Sequence, residues 1–516
     1  MAPSPVPNVM SSISSDCILH SRSETDPGHR RGSLLLTVLA VIVLLGLSLC
    51  SLLLSVASST PDLSAAYVAL AAEGALVASL VLVKFGRSGI YIFEPFAFIT
   101  LVMVLLYLVA PIFQFASGST SRYGVDVVRY CVPATCLVML GYFSFFVGYE
   151  YPLGKSWSER RRTAVGYREV PNDLAGKLVR WCSWIWIAAY ALNFYYYLRK
   201  GFDFVYILTG GLSGAALNDF TSDDGLAFLA YSKFILLGTW MVIYAFGKNK
   251  GFKAVLYAMT LLTMFLGGGR ATLLIGILAP VVFYFARNKK SPRGTSVAAA
   301  FFCLFALFAF MQVARVGLRT GAGVDVSGMG IADFLNPFGA EIDDFKSFYA
   351  LLGVVPSMHD YLYGSQMILY SLVLLIPRAV FPSKPSPAVH DLVALSLGDQ
   401  AVLNGNAYPG IGEYYVEFGI VGVVVCMWLF GVISRHLKNC YLFTEGKSTA
   451  MLAYAIVYPT LFSFIIRGYM PQNFTMTLFL LLPIALCRFV QGHDAKRRNG
   501  SKRANGMNPK SFGRQK

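Results

Sequence analysis

Cationic side chains suited to binding phosphate are concentrated in residues 315–413. Arg315 and Arg319 are four residues apart, and Arg378 and Lys384 both lie in the proline-rich turn Ile376–Pro385. Arginine presents two parallel donors that match phosphate oxygens, whereas lysine presents a compact charge. Two arginines on one helix face repel each other unless an anion lies between them. The stretch therefore predicts a polyanion site, and the alternative for each cation is simple solvation.

Two further arginines flank apolar sequence outside this stretch. Arg270 follows three consecutive glycines, and Arg467 ends an apolar run and precedes Gly468. Glycines allow close approach of the backbone to a ligand, and a helix that starts there offers free N–H groups to an anion. The alternative for Arg270 is a side chain that reaches the lipid headgroups.

Glu413 is the candidate for a general base, a residue that would accept a proton during the reaction. Glu413 and Glu417 are four residues apart in apolar sequence, where a carboxylate is costly unless it is paired or functional. They could form ion pairs with the arginines, or one could accept a proton from a sugar hydroxyl. The His-Asp dipeptides at 359–360 and 390–391 are weak evidence for a metal site, and we expect neither a metal nor another cofactor.

Composition indicates that a membrane holds these residues in place. The chain of 516 residues is 56% hydrophobic and 14% charged, with a mean hydropathy of +0.58. Soluble proteins carry about 25% charged residues, so a soluble multidomain protein is excluded. The net charge of +16 lies in short basic patches and in the tail, which argues against nucleic-acid binding. The nine cysteines show no metal or redox spacing.

Apolar runs predict an all-α polytopic membrane protein with about twelve transmembrane helices, because one span needs about 20 residues. The predicted spans are Ser33–Ala57, Ala65–Val83, Pro95–Phe115, Val132–Tyr149, Trp181–Leu198, Leu226–Phe246, Ala254–Leu266, Ala271–Phe285, Ser296–Val313, Tyr414–Ile433, Ala450–Ile466 and Thr475–Val490. Within the long loop, Tyr363–Ile376 is apolar but too short to span, which predicts a re-entrant or interfacial helix that ends at Pro377.

Basic residues in the short loops predict the orientation. Placing both termini in the cytoplasm brings the Lys/Arg patches to the same side and leaves the 315–413 loop outside. The predicted organisation is a disordered N-terminus at 1–32, helices 1–9 at 33–314, the external loop at 315–413, helices 10–12 at 414–490 and a disordered basic tail at 491–516.

Three stretches resemble bacterial oligosaccharide repeat-unit polymerases of the Wzy type, which build O-antigen and related capsular polysaccharides or exopolysaccharides. They are Gly267–Leu274, Ile376–Pro385 and Gly412–Gly431. Some members of that family carry an arginine about ten residues before a glycine in two external loops, and the pairs Arg199/Gly210 and Arg319/Gly330 are weakly similar to that pattern.

The resemblance implies a metal-independent glycosyltransferase at the outer face of the bacterial inner membrane. It would transfer a glycan from undecaprenyl diphosphate to a fresh lipid-linked repeat unit, and its partners would include membrane lipid, a chain-length regulator and a flippase. The implied site has Arg270, Arg378 and Glu413 as catalytic residues, and Arg315, Arg319, Lys384 and Arg467 as diphosphate- or glycan-binding residues.

Two other functions fit the same features. An O-antigen ligase of the same superfamily differs in its acceptor, which the sequence does not specify. A flippase for the lipid-linked unit would normally show two similar halves and charges at mid-membrane, whereas here the charges are concentrated in one loop.

Overall fold

The computed structural model describes residues 63–85, 93–122, 125–150, 165–199, 227–266, 270–290, 292–300, 302–304, 306, 344–376, 380–384, 392, 408–444 and 446–504. The helices in this part of the chain are α1 (Leu63–Phe85), α2 (Pro95–Ala116), α3 (Val128–Glu150), α4 (Asn172–Arg199), α5 (Ala227–Ala230), α6 (Ser232–Phe246), α7 (Lys250–Leu266), α8 (Arg270–Arg287), α9 (Gly294–Leu304), α10 (Asp344–Val354), α11 (Ser371–Val373), α12 (Gly410–Leu442), α13 (Thr449–Ile466) and α14 (Met470–Ala504).

Shorter elements complete the described fold. A π-helical turn interrupts α2 at Val104–Val109, and a second one, Ser365–Tyr370, leads directly into α11. A 3₁₀ turn covers Val165–Tyr167. Strands β1 (Ser121–Arg122) and β2 (Val125–Asp126) form a small antiparallel hairpin between α2 and α3.

Six helices of the described residues are long and apolar enough to cross a membrane: α1, α2, α3, α12, α13 and the Met470–Arg498 part of α14. Helices α6, α8 and α9 are apolar but shorter. An all-α polytopic membrane fold is therefore supported, whereas the count of twelve stays a prediction. The first predicted span, Ser33–Ala57, lies outside the described residues.

Helices α3 and α12 cross with their backbones in contact. A Cβ atom added to Gly148 would lie 2.1 Å from the carbonyl oxygen of Trp428, and one added to Gly431 would lie 2.2 Å from that of Phe145. No side chain fits at such distances, so the glycines set the crossing. Small residues at helix crossings are typical of membrane bundles, where close packing drives association.

The stretch 315–413, which the sequence predicted to be an external loop, contains a helix that the sequence did not reveal. Every residue of α10 from Asp344 to Leu351 is buried, and α10 packs against α3 and α12. Lys346 in this helix donates hydrogen bonds to Gln114 Oε1 at 3.2 Å and to Ser119 Oγ at 2.8 Å. Within the predicted helix Tyr363–Ile376, residues 365–373 form a π-helical turn followed by α11, and both pack against α14. Its re-entrant or interfacial placement stays a prediction.

Two predicted boundaries differ from the structure. Helix α12 begins at Gly410 rather than Tyr414, so Glu413 belongs to its first turn rather than to the loop. Helix α14 continues to Ala504, through much of the tail predicted to be disordered. Lysine, arginine and alanine favour helix, and Arg498 pairs with Asp494 one turn earlier and with Asp173 of α4.

An ion-pair cluster marks one end of the bundle, which we call the basic end. Glu94, just before α2, accepts hydrogen bonds from Lys438 Nζ at 2.9 Å and from the Tyr149 hydroxyl at 2.8 Å, and Lys84 Nζ lies 3.9 Å away. Burial acts to raise the pKa of Glu94, but the charges of Lys438 and Lys84 and the hydrogen bonds outweigh it, so the pKa is lowered. This cluster joins α1, α2, α3 and α12.

Glu94→Gln should lower the free energy of unfolding by roughly 3 kcal/mol, because it removes the buried carboxylate that Lys438 Nζ contacts at 2.9 Å. A lowered carboxyl pKa gives a stabilisation that is present above the ordinary value of 4.5 and is lost as the pH falls through the pKa of the folded protein. Thermal unfolding in detergent should therefore show a difference between the wild type and the variant at pH 7 that shrinks in acid.

Glu150→Gln is the control, because Glu150 bonds Lys84 at 2.5 Å but its side chain is 25% exposed. It should cost clearly less than Glu94→Gln. Equal losses, or a Glu94→Gln effect that does not change with pH, would contradict the assignment of Glu94 as the centre of the cluster.

Candidate functional site

The opposite end of the bundle, which we call the loop end, carries the chain between α2 and α3, the segment 344–384, the first turn of α12 and the turn between α13 and α14. The chain enters α12 through Pro409, which is extended, and a Cβ atom on Gly410 would lie 2.2 Å from the carbonyl oxygen of Phe464. Glycine at position 410 therefore lets α12 begin directly against the end of α13. This contact brings Glu413 beside the next turn.

Glu413 caps a helix that begins 57 residues later in the sequence. Both carboxylate oxygens accept the backbone N–H of Met470, the first residue of α14, at 3.0 Å. The side chain is 1% exposed. A helix N-terminus offers unpaired N–H groups and a partial positive charge, and a carboxylate is a favourable partner for both.

Glu417 likewise accepts a backbone N–H, in the π-helical turn Ser365–Tyr370. Its Oε1 accepts the N–H of Met367 at 2.8 Å, at the start of the π-helical turn, and the side chain is fully buried. Helix α12 breaks immediately afterwards, where Gly419 adopts a left-handed φ of 64°. The freed carbonyl oxygens of Val416 and Glu417 accept the N–H groups of Leu362 and Tyr363 at 3.0 and 2.8 Å.

The turn between α13 and α14 presents Arg467 at the surface of the loop end. Arg467 is extended and exposed, and its carbonyl oxygen accepts a hydrogen bond from Asn473 Nδ2 at 2.6 Å. The N–H of Gly468 donates to the Tyr408 carbonyl oxygen at 2.9 Å. Together with the Glu413–Met470 contact, these bonds fix the backbone that carries the guanidinium.

Lys384 has a different environment from the one expected for a phosphate-binding lysine. It is 7% exposed, and its ammonium donates to the carbonyl oxygens of Leu374 and Ile376 at 2.7 and 3.2 Å. It also lies 5.4 Å from the centre of the Tyr370 ring. Lysine at the end of a helix satisfies carbonyl groups that the helix leaves unpaired. Lys384 thereby ties the last part of the proline-rich turn to the chain at the end of α11.

Three tyrosines form a cluster beside Glu413 that the sequence analysis missed. The hydroxyls of Tyr469 and Tyr370 hydrogen-bond, and Tyr231 lies close to both. Burial raises the pKa of Tyr469, and the neighbouring tyrosines and the Glu413 carboxyl raise it further. Tyr469 therefore stays a hydrogen-bond donor at neutral pH. Tyr408 is also buried near Glu413, and its hydroxyl has no hydrogen-bond partner among the described residues.

Lys233, near the start of α6, is another residue that the sequence analysis missed. Its ammonium lies 5.3 Å from the Phe234 ring, and no salt-bridge partner is found for it in the described part of the chain. The sequence could have revealed Lys233, because it is a single lysine in an apolar run long enough to span a membrane. A charged residue is costly there unless it has a function.

A comparison with protein families identifies the chain. The profile of the family described as "O-antigen polysaccharide polymerase Wzy" matches residues 36–494. The chain belongs to the Wzy family. No curated protein and no solved structure is significantly similar to it. The family and the membrane-spanning helices together make it a bacterial membrane protein of O-antigen polysaccharide biosynthesis, with the polymerase activity of the Wzy family.

The structure places three of the seven predicted Wzy site residues, Glu413, Lys384 and Arg467, at the loop end. Arg270 begins α8, but its side chain lies outside the described part. Arg315, Arg319 and Arg378 also lie outside it, and so does the glycine of each arginine–glycine pair, Gly210 and Gly330. That these four arginines lie together with Arg467 in one site therefore stays a prediction.

The expected absence of a metal also stays a prediction. Nδ1 of His359 contacts the backbone oxygen of Asp360 at 2.7 Å, so this histidine contacts its neighbour's main chain rather than its carboxylate. Among the described residues, no three His, Cys, Asp or Glu side chains are grouped as metal ligands would be. The second dipeptide, at 390–391, falls outside that part of the Wzy chain.

Glu413→Ala should destabilise the protein by about 1 kcal/mol or more, because it removes the cap of α14. Glu413→Gln keeps a side-chain oxygen that accepts the Met470 N–H, and it should retain most of that stability. Hydrogen exchange at Met470 and thermal unfolding measure the two effects. Equal exchange rates at Met470 in the wild type and in Glu413→Ala would show that the carboxylate does not cap α14.

Proposed function

We propose that this protein polymerises undecaprenyl-diphosphate-linked oligosaccharide repeat units into O-antigen, capsular polysaccharide or exopolysaccharide. The reaction takes place at the outer face of the bacterial inner membrane, and both termini of the chain are cytoplasmic. The Wzy family supplies the polymerase activity. The observation that carries the rest is the division of the bundle into a basic end and a loop end, with exposed Arg467 held in a fixed turn at the loop end.

The reaction needs cations at the leaving group. The acceptor hydroxyl oxygen attacks the anomeric carbon of the growing glycan, and the bond from that carbon to the diphosphate oxygen breaks with both electrons on the diphosphate. Donors already in place where this charge develops lower the barrier most. In the proposed site, Arg270, Arg378 and Arg319 bind the diphosphates, with help from Arg315 and Arg467.

Lys384 and Glu413 support this site in different ways. Lys384 is bound to carbonyl oxygens, so it holds the end of the loop that contains Arg378 in the sequence. Glu413 was expected to orient or deprotonate the acceptor hydroxyl. Its bonds to Met470 and its deep burial favour a positioning role, in which it fixes the turn that carries Arg467.

A ligase that transfers finished glycan to another lipid is the alternative that shares this chemistry. The same diphosphate leaves in both reactions, so the cation site is common to them. The acceptor distinguishes them, since a polymerase uses a second lipid-linked repeat unit. The match to the polymerase family favours polymerisation.

Arg467→Ala and Arg270→Ala should each lower the rate of glycan elongation about 100-fold, because each removes a donor from the developing charge. The assay uses the purified chain in lipid with its lipid-linked repeat unit and a chelator, and it measures product length on gels. Arg293→Ala is the matched control, since Arg293 is an exposed arginine that follows α8 beyond its basic-end terminus.

Glu413→Gln should retain most of the elongation activity. Glu413→Ala should lose about as much activity as Arg467→Ala, because it releases the turn that carries Arg467. Equal and complete loss in both Glu413 variants would instead assign the carboxylate as a base. Elongation that is equally fast in the wild type, Arg467→Ala and Arg270→Ala would rule out the proposed cation site.

Orientation gives a separate prediction. Asp360 is exposed at the loop end and Lys250 is exposed at the basic end. Single cysteines at these positions, in a background without other cysteines, are treated in intact cells (spheroplasts where an outer membrane is present) with a membrane-impermeant maleimide. Asp360→Cys should be labelled, and Lys250→Cys should be labelled only after the membrane is broken. The opposite pattern would reverse the proposed orientation.

A further inference from the structure

Asn193, on α4, carries a buried amide without a partner. The residue is 2% exposed, and neither its Nδ2 nor its Oδ1 atom forms a hydrogen bond with any described residue. Buried amides in proteins are nearly always hydrogen-bonded, because an unpaired one loses its bonds to water and gains none. The amide offers two donors and one acceptor. A ligand that brings hydroxyl groups into the bundle would satisfy both atoms.

Lys233 is a cation in a helix that is otherwise mostly buried. Its ammonium lies 5.3 Å from the centre of the Phe234 ring, and no carboxylate of the described residues pairs with it. Lys233 itself is partly exposed, so a ligand can reach it. A charged side chain within a membrane bundle faces the interior or a water-filled space and usually has a partner or a function. The partner that a lysine requires is an anion.

Lys233 lies on the side of α6 that packs against α7. Trp240, two helical turns further along α6, donates to the Lys253 carbonyl oxygen of α7 at 2.9 Å, and its ring stacks on that of Tyr257 with centres 4.2 Å apart. Residues seven positions apart lie on the same side of a helix. Helix α6 runs from the loop end to the basic end, so Lys233 is two turns closer to the loop end than Trp240.

Asn193 lies on the side of α4 that meets α7. Trp186, two turns before it, donates to Thr260 Oγ1 of α7 at 3.1 Å, and α4 also packs along α6. Helix α4 runs toward the loop end, because Asp173 at its start pairs with Arg498 near the end of α14. Asn193 is therefore two turns closer to the loop end than the contact between Trp186 and Thr260.

The start of α8 lies at a similar height in the bundle. Helix α8 begins at Arg270 and packs back along α7, where a Cβ atom on Gly276 would lie 2.8 Å from Met264 Sδ. Each contact with α7 fixes a height, and a helix rises about 1.5 Å per residue, so Asn193, Lys233 and the first residue of α8 lie within about 10 Å of one another along the bundle axis. One sugar diphosphate could reach all three positions.

We propose that Asn193 and Lys233 form a binding subsite for the sugar diphosphate of the lipid-linked substrate, beside the start of α8. Lys233 binds a diphosphate oxygen, and Asn193 forms hydrogen bonds with hydroxyl groups of the sugar attached to it. The two groups match the two parts of this ligand, one anionic and the other rich in hydroxyls. The subsite deepens the proposed function and rests on it, because that function supplies the substrate.

Binding of two lipids separates the two roles. The full chain in nanodiscs is titrated with undecaprenyl diphosphate, which carries no sugar, and with the lipid-linked repeat unit. Lys233→Met should raise the Kd for both lipids about tenfold, the effect of losing one hydrogen bond to a charged group. Lys233→Arg keeps the charge and should stay within about threefold of the wild type. Lys177→Met is the matched control, because Lys177 is an exposed lysine near the basic end of α4.

Asn193→Leu should raise the Kd for the lipid-linked repeat unit about fivefold and leave that for undecaprenyl diphosphate within about twofold of the wild type. This variant decides the question if Lys233→Met does not accumulate. Equal affinity for the lipid-linked repeat unit in the wild type, Lys233→Met and Asn193→Leu overturns the proposal.

Thermal unfolding without added lipid substrate distinguishes a purely structural role. Asn193→Leu and Lys233→Met should leave Tm unchanged or raise it, because each replaces a polar group that lacks a partner by an apolar one. If a carboxylate of the chain held Lys233, Lys233→Met would leave that carboxylate unpaired and lower Tm. A lower Tm together with unchanged lipid affinity would assign Lys233 to such an ion pair and overturn the subsite.

Glycan elongation tests the proposed function separately. If the wild type elongates no glycan, but Lys233→Met weakens its binding of both lipids, the proposed function fails and the subsite stands. If the wild type elongates glycan while both variants bind the two lipids as tightly as it does, the subsite is overturned and the proposed function stands.

Discussion

Two buried carboxylates one helical turn apart hold the loop end together. Glu413 accepts the first N–H of α14 and Glu417 accepts an N–H at the start of the π-helical turn, and both are inaccessible to solvent. Each therefore joins α12 to a segment that is distant in the sequence. Unpaired N–H groups at a buried helix start are costly, so these contacts decide where the Arg467 turn and α11 can lie.

This arrangement depends on glycines that allow close backbone contact. Gly410 lets α12 begin against α13, and Gly431, with Gly148 of α3, lets the two long helices touch. Gly419 takes the left-handed conformation that ends the first part of α12 and releases carbonyl oxygens to the 362–363 segment. The close contact between α3 and α12 fixes the position of α12. The first part of α12, before the break at Gly419, contains Glu413 and Glu417 of the candidate site.

Apolar run length predicted most of the described helices, because a helix that crosses lipid needs a continuous apolar stretch. The predicted span Ala450–Ile466 differs from α13 by one residue at its start. Helix α10 was missed because its sequence mixes Asp344, Lys346 and Ser347 with apolar residues, and only the tertiary structure buries them. The sequence singled out Glu413, but its partner is a backbone N–H of Met470, which no side-chain pattern encodes.

The central claim is that the loop end binds the diphosphate of a lipid-linked glycan. A photoreactive polyprenyl diphosphate, crosslinked to the full chain in nanodiscs and mapped by mass spectrometry, tests it most directly. We expect crosslinks at the start of α8, where Arg270 lies, and in the turn between α13 and α14, and excess lipid-linked repeat unit should suppress them. Crosslinks confined to the basic end, around Glu94 and Lys438, would contradict it.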